Sequence, residues 1–336
     1  MKNNIFNTLE KLPKIDLHRH LDGSVRIKTI RDAALKHNFV LPTKDLRKLR
    51  KYVRVSRDCS SLTEFLNAFS FFYRFLKFPD VMERIAYENC EDAVRENIKY
   101  LELRFAPSLQ ATKKFSEEDV LRCVINGISE GQKSFGIKVG LILCIYRSLS
   151  EEQNFKTIKL AEKYFGRGVV GIDLAGDESH YKIDLYKKFF DYAKSSNIPI
   201  TCHAGEADGP ESIKKAIEFG ARRIGHGIRL YEDEDLMKKV KDEGIPLEIC
   251  LTSNIQTQVV RKIEEHPFKR YYDFGIKVTL NTDDPSVSGI DINHEYKLAR
   301  KVFGLRVNDL KKIVYNSIEA AFLSEKEKKK LCSEIE

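Results

Sequence analysis

The sequence predicts an α/β protein built as a (β/α)8 TIM barrel, with extra helices inserted after the first strand and at the C-terminus. Eight short apolar segments rich in Val, Ile and Leu recur along the chain, as strands buried on both faces do. Segments with 3.6-residue periodicity separate most of them, which favours parallel strands joined by helices. No long linker rich in Gly, Ser or Pro divides the 336 residues. We therefore expect a single domain spanning residues 1–336.

Strand and helix segments alternate along the whole chain. The predicted strands are 14–18, 99–105, 138–145, 169–174, 197–202, 222–226, 245–250 and 276–281. The predicted helices between them include 116–135, 151–165, 181–196, 210–220 and 233–243. Gly220 and Gly244 stand where two of these helices end, a common position for glycine. Eightfold alternation is typical of a closed parallel barrel rather than an open sheet.

Two parts of the chain add to the eight strand–helix units of a simple barrel. About 80 residues separate the first two predicted strands, several times the usual connection. They include an aromatic helical segment, 61–77, which either packs in the core or covers the mouth of the barrel as a lid. After the last strand, 291–333 predicts two or three closing helices.

Composition excludes several classes of protein. The 58 Lys and Arg residues exceed the 50 Asp and Glu residues by 8, but they are scattered, whereas a nucleic-acid interface gathers them in a stripe. The sequence contains no run of 18 apolar residues, so it predicts no membrane-spanning segment and no membrane partner. The seven cysteines contain no C-x-x-C pair, and the N-terminus lacks the apolar core of a signal peptide. These features favour a cytoplasmic protein without disulfides. The sequence does not indicate an oligomeric state.

Histidines and carboxylates gather where four predicted strands end. His18 and His20 end the first strand, and alternate residues of a strand point to the same side. His203 follows strand five, His226 ends strand six, and Asp283 follows strand eight. Because the carboxyl ends of barrel strands meet at one face, we expect these side chains to converge there.

Burying so many titratable groups without a ligand would be costly. A divalent cation bound by three imidazoles and one carboxylate removes that cost. Zinc takes nitrogen and oxygen ligands and leaves a position open for water. We therefore predict one zinc ion per chain, bound by His18, His20, His203 and Asp283.

The stretches PKIDLHRHLDGS, YLELRFAP, GIDLAGDE, CHAGE, RIGHG, PLEICLTSN and VTLNTDDP occur in this order between about residue 12 and about residue 300. Together they resemble the adenosine deaminase family of metal-dependent hydrolases, and its bacterial members in particular. The resemblance implies zinc-dependent hydrolytic deamination of adenosine and 2′-deoxyadenosine to inosine and deoxyinosine, with release of ammonia, in purine salvage. The implied partner is a small purine nucleoside.

The resemblance also assigns roles to residues. It implies that Glu206 is the proton donor and that His226 lies beside the metal-bound water. It implies that His20 and Asp22 contact the substrate, Asp22 at the ribose, and that Asp284 and the backbone of Gly176 contact the purine. Zinc lowers the pKa of water to about 7, and attack at C6 needs a proton at N1, which a protonated Glu206 supplies. Asp283 accepts the proton of the water.

Alternatives remain at two positions. Asp284 could instead cap a helix that begins at Pro285. Asp22 favours a nucleoside, because a carboxylate repels a 5′-phosphate, but the similar adenine deaminases usually carry Glu at this place.

Leu251 and Gln110 depart from the bacterial pattern, in which Pro and His, respectively, are common at these two positions. An adenine deaminase, or a deaminase of a modified adenine nucleoside, is therefore the alternative function.

Other metal hydrolases fit less well. Binuclear amidohydrolases bridge two metals with a modified Lys at the end of strand four, where this chain has Asp173-Leu174-Ala175-Gly176. Cytidine-type deaminases need P-C-x-x-C, which does not occur. A binding protein with an inactive site would have lost a ligand or Glu206, and none is missing here.

Overall fold

Eight parallel strands form one sheet in which each strand pairs with the next along the chain. They are β1 (Lys14–His20), β2 (Ile98–Phe105), β3 (Lys138–Tyr146), β4 (Val169–Ala175), β5 (Ile200–Ala204), β6 (Arg223–His226), β7 (Leu247–Ile249) and β8 (Val278–Leu280). This computed structural model describes residues 9–56, 59–67 and 69–335. Residues 1–8 of the predicted domain 1–336, and Ala68 of the aromatic segment, lie outside that part. The predicted (β/α)8 architecture is confirmed.

The two ends of the sheet meet between β8 and β1. Arg19 and Asp283 form a parallel bridge there. The N–H of His20 donates to the carbonyl of Asp283, and the N–H of Asp283 donates to the carbonyl of His18, each at 2.8 Å. Below them, the N–H of Leu17 donates to Oδ1 of Asn281 at 3.0 Å. The first and last strands therefore close the barrel beside the predicted metal ligands.

Helices follow each strand and surround the barrel. The α-helices are Ile27–Lys36, Leu46–Val53, Leu62–Asn67, Ser70–Tyr73, Pro79–Arg95, Pro107–Gln110, Glu117–Phe135, Glu151–Tyr164, Lys187–Ser195, Pro210–Phe219, Glu234–Asp242, Leu251–Gln256, Phe268–Phe274, Pro285–Ser288, Ile292–Phe303, Val307–Ala320 and Glu325–Ile335. Single 3-10 turns occur at Asp22–Ser24, Ile183–Tyr186, Ile228–Glu232 and Ile263–Glu265. Within the described ranges, no helix has both the length and the apolar character needed to cross a bilayer.

The longest barrel helices follow the local rules of their sequence. Ser116 caps Glu117–Phe135 by accepting from the N–H of Asp119, and Gly136 ends it at φ 69°, a left-handed conformation that glycine adopts freely. A Cβ on Gly127 would lie 2.1 Å from the carbonyl oxygen of Glu83. Glycine therefore allows this helix to pack closely against Pro79–Arg95, the last helix of the long insertion.

The predicted bounds are wrong mainly at strand five and at the helix before it. Strand β5 begins three residues later than predicted, because Asn197 has φ 55° and Pro199 has no N–H to donate. The strand extends instead to Ala204 and so includes His203. The predicted helix 181–196 begins as the 3-10 turn Ile183–Tyr186, and its α-helical part is Lys187–Ser195.

The aromatic segment is not one helix through residue 77. It contains the two short helices Leu62–Asn67 and Ser70–Tyr73, and residues 74–77 form turns. Hydrogen bonds from the N–H of Phe75 to the carbonyl of Phe72, and from Leu76 to Tyr73, span three residues and tighten the backbone beyond α-helical geometry. Three helices close the C-terminus, as the sequence predicts.

Candidate active site

Four titratable side chains converge at the carboxyl ends of β1, β5, β6 and β8. One ligand atom each from His18, His203, His226 and Asp283 lies within 4.8 Å of all the others. Nε2 of His18 lies 3.0 Å from Nε2 of His203 and 3.3 Å from Oδ1 of Asp283. Nε2 of His20 lies 3.3 Å from the same Oδ1. By distance, His226 therefore belongs with the predicted ligands His18, His203 and Asp283. The fourth predicted ligand, His20, contacts this group through Asp283.

Two of these residues have an uncommon backbone conformation. His226 has φ 63° and Asp283 has φ 59°, the left-handed region that non-glycine residues enter at a cost of about 1–3 kcal/mol. The backbone bonds of Asp283 to His18 and His20 hold this conformation at the closure of the barrel. Both residues follow or end short strands, and the turn directs their side chains into the cluster.

A buried ionic network orients two of the imidazoles from behind. Nδ1 of His18 lies 2.8 Å from Glu248, and Nδ1 of His203 lies 2.9 Å from Asp173. Arg104 donates to both carboxylates, at 3.0 Å to Asp173 and 2.8 Å to Glu248. Since a carboxylate only accepts, each neutral ring carries its proton on Nδ1 and directs the lone pair of Nε2 into the cluster.

This donor set fits a divalent cation. The lone pairs of His18 and His203 face each other at 3.0 Å beside the carboxylate of Asp283, so three acceptors meet without a donor between them. Imidazole nitrogen and carboxylate oxygen are ligands that zinc takes in catalytic sites. Gly225 makes room for the rings, because a Cβ there would lie 3.1 Å from Cε1 of His18.

The supporting network is the part of the site that sequence analysis missed. It comprises Glu102, Arg104, Asp173, Arg223 and Glu248, all at most 1% exposed. Arg223 donates to Glu248 at 2.6 Å and to Glu102 at 2.5 Å. The detectable signal was a charge at alternate positions of apolar strands, as at Glu102 and Arg104, which puts both on one face.

The loop after β5 places Glu206 beside the cluster. The buried carboxylate of Glu178 accepts four consecutive backbone N–H groups at 2.9–3.1 Å, those of Gly205, Glu206, Ala207 and Asp208. It also accepts the hydroxyl of Ser212 at 2.6 Å. This one side chain therefore sets the path of the loop that carries Glu206.

The environment of Glu206 favours its protonated form. Its Oε2 lies 3.7 Å from Nε2 of His226, and the hydroxyl of Thr257 donates to its Oε1 at 3.3 Å. Burial raises the pKa of Glu206 to about 8, and the charges of Asp283 and Glu178 add to that rise. A carboxyl group of this kind can donate a proton at neutral pH.

A cavity joins these groups to the remaining predicted residues. Eight of the nine line it, namely His20, Asp22, Gly176, His203, Glu206, His226, Asp283 and Asp284, so they can act on one ligand. His18 is fully buried behind them. Gly176 has φ 96°, and a Cβ on it would lie 3.2 Å from the ring of Tyr146. Only glycine brings the backbone this close to the cavity.

The aromatic segment after β1 both covers the cavity and packs in the core. Leu62, Phe65 and Phe69 line the cavity, whereas Phe72 and Phe75 are 1% exposed and belong to the hydrophobic core. The two interpretations left open by the sequence therefore apply to different faces of the segment.

Asp22 lies at one side of the cavity, in contact with this cover. The hydroxyl of Tyr73 donates to its Oδ2 at 2.9 Å, and Gln110, which departs from the bacterial pattern, donates to the same oxygen at 3.4 Å. Burial raises the pKa of Asp22 to about 6. At neutral pH, Asp22 is therefore an acceptor with one oxygen already bonded to the protein.

The side chain of Asp284 does not cap the helix Pro285–Ser288. The residue occupies the N-cap position, but its carboxylate accepts no N–H of that helix, and the capping alternative is wrong. Its Oδ1 is buried without a partner. Burial raises the pKa of Asp284 well above its usual range, with further contributions from Asp283 and Asp22. Oδ1 packs against Gly23, where a Cβ would lie 1.7 Å from it, and the residue lines the cavity. A buried carboxyl group with an unpartnered oxygen is suited to contact a ligand.

Three comparisons with known proteins bear on this site. The family model for adenosine deaminase matches residues 13–336. The adenosine deaminase of Clostridium perfringens (strain SM101 / Type A) is 40% identical over 324 residues, which cover 96% of this chain and 98% of that protein. The apo structure of the N6-methyl-AMP deaminase from Arabidopsis thaliana superposes with a TM-score of 0.86 at 31% identity, covering 98% of both chains.

A more distant structure shares the fold. An amidohydrolase from Burkholderia ambifaria with bound Zn superposes with a TM-score of 0.88 at 22% identity, covering 98% of this chain and 91% of that one.

Proposed function

Since this chain belongs to the adenosine deaminase family, we propose that it catalyses the hydrolytic deamination of adenosine and 2′-deoxyadenosine to inosine and deoxyinosine. Ammonia is the second product. One barrel domain carries the reaction. The cytoplasm is its proposed location, since the seven cysteines are odd in number and include no C-x-x-C pair, a pattern that argues against a disulfide framework and for a reducing compartment. The single observation that carries the proposal is a buried carboxyl group, Glu206, held protonated beside a cluster suited to a divalent cation.

We propose one zinc ion per chain, held by His18, His20, His203 and Asp283. A zinc ion bound there supplies Lewis acidity that lowers the pKa of water to about 7. The carboxylates of Glu248 and Asp173 support this assignment, because they fix His18 and His203 with their Nε2 lone pairs directed inward. His20 is available as a ligand through its contact with Asp283.

The side chains around the cluster move the protons of the reaction. Glu206 donates its proton to N1 of the purine, which makes C6 accept the attacking water oxygen. Asp283 accepts a proton from that water, and His226 stabilises the charge on the attacking oxygen. Asp283 passes the water proton to N6, the C6–N6 bond breaks, and the amino group leaves as ammonia. The second water proton leaves the hydroxyl at C6 as the carbonyl forms and returns Glu206 to its protonated state, while the proton that Glu206 donated stays on N1. Oxygen replaces nitrogen at C6, and no oxidant or reductant is needed.

The rest of the cavity holds the nucleoside. The buried carboxyl group of Asp284, whose raised pKa favours the protonated form, donates to N7 of the purine. The backbone of Gly176, which lines the cavity, contacts the purine. Asp22 accepts from a ribose hydroxyl, and the apolar cover of Leu62, Phe65 and Phe69 excludes water, which strengthens the polar contacts inside.

Asp22 favours a nucleoside over a nucleoside monophosphate. Its charge, within a buried site, repels a 5′-phosphate, and no described cavity-lining residue is Lys or Arg. The name of the neighbour in Arabidopsis states a monophosphate substrate, so AMP is included in the test. Adenine, or a modified adenine nucleoside, is the alternative substrate.

The test is a deamination assay of the purified protein on adenosine, 2′-deoxyadenosine, adenine and AMP side by side, with the metal content of the same sample measured. Loss of adenine-type absorbance with both nucleosides, and about one zinc per chain, is the expected result. Turnover of adenine alone would move the assignment to an adenine deaminase. Inactivity on all four with zinc bound would contradict the proposed substrate.

A further inference from the structure

A line of buried hydrogen bonds connects a backbone amide to His226. The N–H of Phe268 donates to Nδ1 of His266 at 3.0 Å. Nε2 of His266 lies 3.2 Å from Oδ1 of Asn254. Nδ2 of Asn254 lies 3.0 Å from Nδ1 of His226. The three side chains are at most 3% exposed, so water does not compete for these bonds.

The backbone amide gives this line one direction. An amide N–H only donates, so Nδ1 of His266 accepts and carries no proton. Burial lowers the pKa of His266 to about 3, and the proton of the neutral ring therefore lies on Nε2. It donates to Oδ1 of Asn254. The reverse orientation of the Asn254 amide would place two donors against each other, which excludes it.

The protonation of His226 follows from the orientation of Asn254. The amide of Asn254 donates to Nδ1 of His226, so that nitrogen holds a lone pair and the ring proton lies on Nε2. Nε2 faces two carboxyl oxygens, Oε2 of Glu206 at 3.7 Å and Oδ2 of Asp283 at 4.0 Å. We infer that His266 and Asn254 are positioning residues that hold His226 with its proton on Nε2, so that it presents a donor to the reacting atoms.

The histidines of the cluster are thereby of two kinds. Carboxylates face Nδ1 of His18 and His203, so their Nε2 atoms are lone pairs that can bind a cation. An amide N–H faces Nδ1 of His226, so its Nε2 carries hydrogen and cannot bind one. This difference would keep His226 out of the proposed set of ligands, although its distance from them groups it with that set. The inference rests on the proposed function only for its effect on catalysis.

The experiment reads the ring nitrogens directly, in the zinc-loaded full chain labelled with 15N-histidine. Two-dimensional 1H–15N spectra distinguish a protonated from an unprotonated ring nitrogen, and the signals missing in His226→Gln identify His226. We expect an unprotonated Nδ1 and a protonated Nε2. A proton on Nδ1 of His226 in the unsubstituted protein overturns the inference.

Two variants test the positioning residues. Asn254→Asp keeps the shape but only accepts, so the proton of His226 moves to Nδ1 and kcat falls about 10²-fold, as when an oxyanion donor is lost. His266→Gln is the matched control, because its amide accepts from Phe268 and donates to Asn254, and the signals of His226 stay unchanged. Unchanged His226 signals in Asn254→Asp contradict the inference.

A third variant tests the inference independently in case Asn254→Asp folds poorly. His266→Leu removes the donor to Asn254, which frees its amide to rotate, and His226 then shows both protonation patterns. A single unchanged pattern contradicts the inference. Because the spectra need no substrate, the expected pattern in a chain inactive on adenosine would contradict the proposed function and leave this inference standing.

Discussion

Glu206, Asp22 and Asp284 line one cavity, yet their surroundings give them different proton affinities. Burial raises the pKa of Glu206 to about 8 and that of Asp22 to about 6. Tyr73 donates to Asp22 and lowers its pKa, whereas the charge of Asp283 raises that of Glu206. At pH 7 one carboxyl group can therefore donate a proton while another accepts a hydrogen bond from substrate.

We expect Glu206→Gln to lower kcat about 10³-fold while zinc content and nucleoside affinity stay close to normal, because the amide keeps the shape but has no acidic proton. Steady-state kinetics and metal analysis measure this. Glu211→Gln is the matched control, since Glu211 is 64% exposed on the next helix. Near-normal turnover of the Glu206 variant would refute the assigned role.

The pH profile offers a second readout of the same group. Glu206 acts while protonated, so kcat/KM falls as pH rises through its pKa. The pKa is about 8 before the charge of a cation is added, and a cation lowers it, so the fall lies below about pH 8.

We expect Asp22→Asn to raise KM for adenosine about tenfold, because a hydrogen bond to a charged acceptor is lost. The preference for adenosine over AMP narrows by a similar factor, since the repulsion of the phosphate disappears. Competition assays with both substrates measure the ratio. Asp235→Asn, at a position 93% exposed, serves as the control, and an unchanged ratio would argue against Asp22 as the discriminating residue.

At the scale of elements, the sequence predicted which strands exist better than where they begin and end. Hydrophobic runs locate strands, but β5 is displaced because Pro199 and the left-handed Asn197 break the apolar run 197–202. The side chains of the predicted ligands lie together at the carboxyl ends of the strands, as the positions of the strand ends indicate. The buried charges that support the cluster were not predicted. Arg104 and Glu248 each lie inside an apolar strand with no partner nearby in the sequence, and they meet their partners only when the barrel closes.

The loop after β5 depends on one side chain from the loop after β4. We expect Glu178→Gln to lower the free energy of unfolding by about 2 kcal/mol, because the amide nitrogen cannot accept the N–H groups that Glu178 now accepts. The loop then shifts and kcat falls about 10²-fold, as displaced catalytic groups cause. Thermal unfolding and kinetics of this variant are compared with those of Glu218→Gln, an exposed position. Unchanged kcat would show that the loop does not need Glu178.

At the scale of the whole molecule, buried charged side chains, rather than apolar ones, occupy the centre of the barrel. Arg104 and Arg223 link Glu102, Asp173 and Glu248 across strands β2, β4, β6 and β7. Branched apolar side chains fill most barrels of this class. Here the interior instead supports the ligand cluster, and a bound cation completes its charge balance.

We therefore expect removal of the metal to destabilise the protein. Binding at 10³ times the dissociation constant stabilises a fold by about 4 kcal/mol, so treatment with a chelator lowers Tm, and added zinc restores it. Differential scanning calorimetry before and after dialysis measures the change. An unchanged Tm with complete loss of zinc would show that the cluster is stable when empty.

The contact between β1 and β8 also sets when the site can form during synthesis. Leu17 and Asn281, which meet there, are 264 residues apart in sequence. A cation bound to His18 and Asp283 would connect residues near opposite ends of the chain, so its binding free energy would stabilise the closed barrel relative to the open chain. His18, His20 and His203 leave the ribosome long before Asp283 does. The complete ligand set therefore exists only after the last strand has emerged, and a nascent chain stays inactive until its barrel closes.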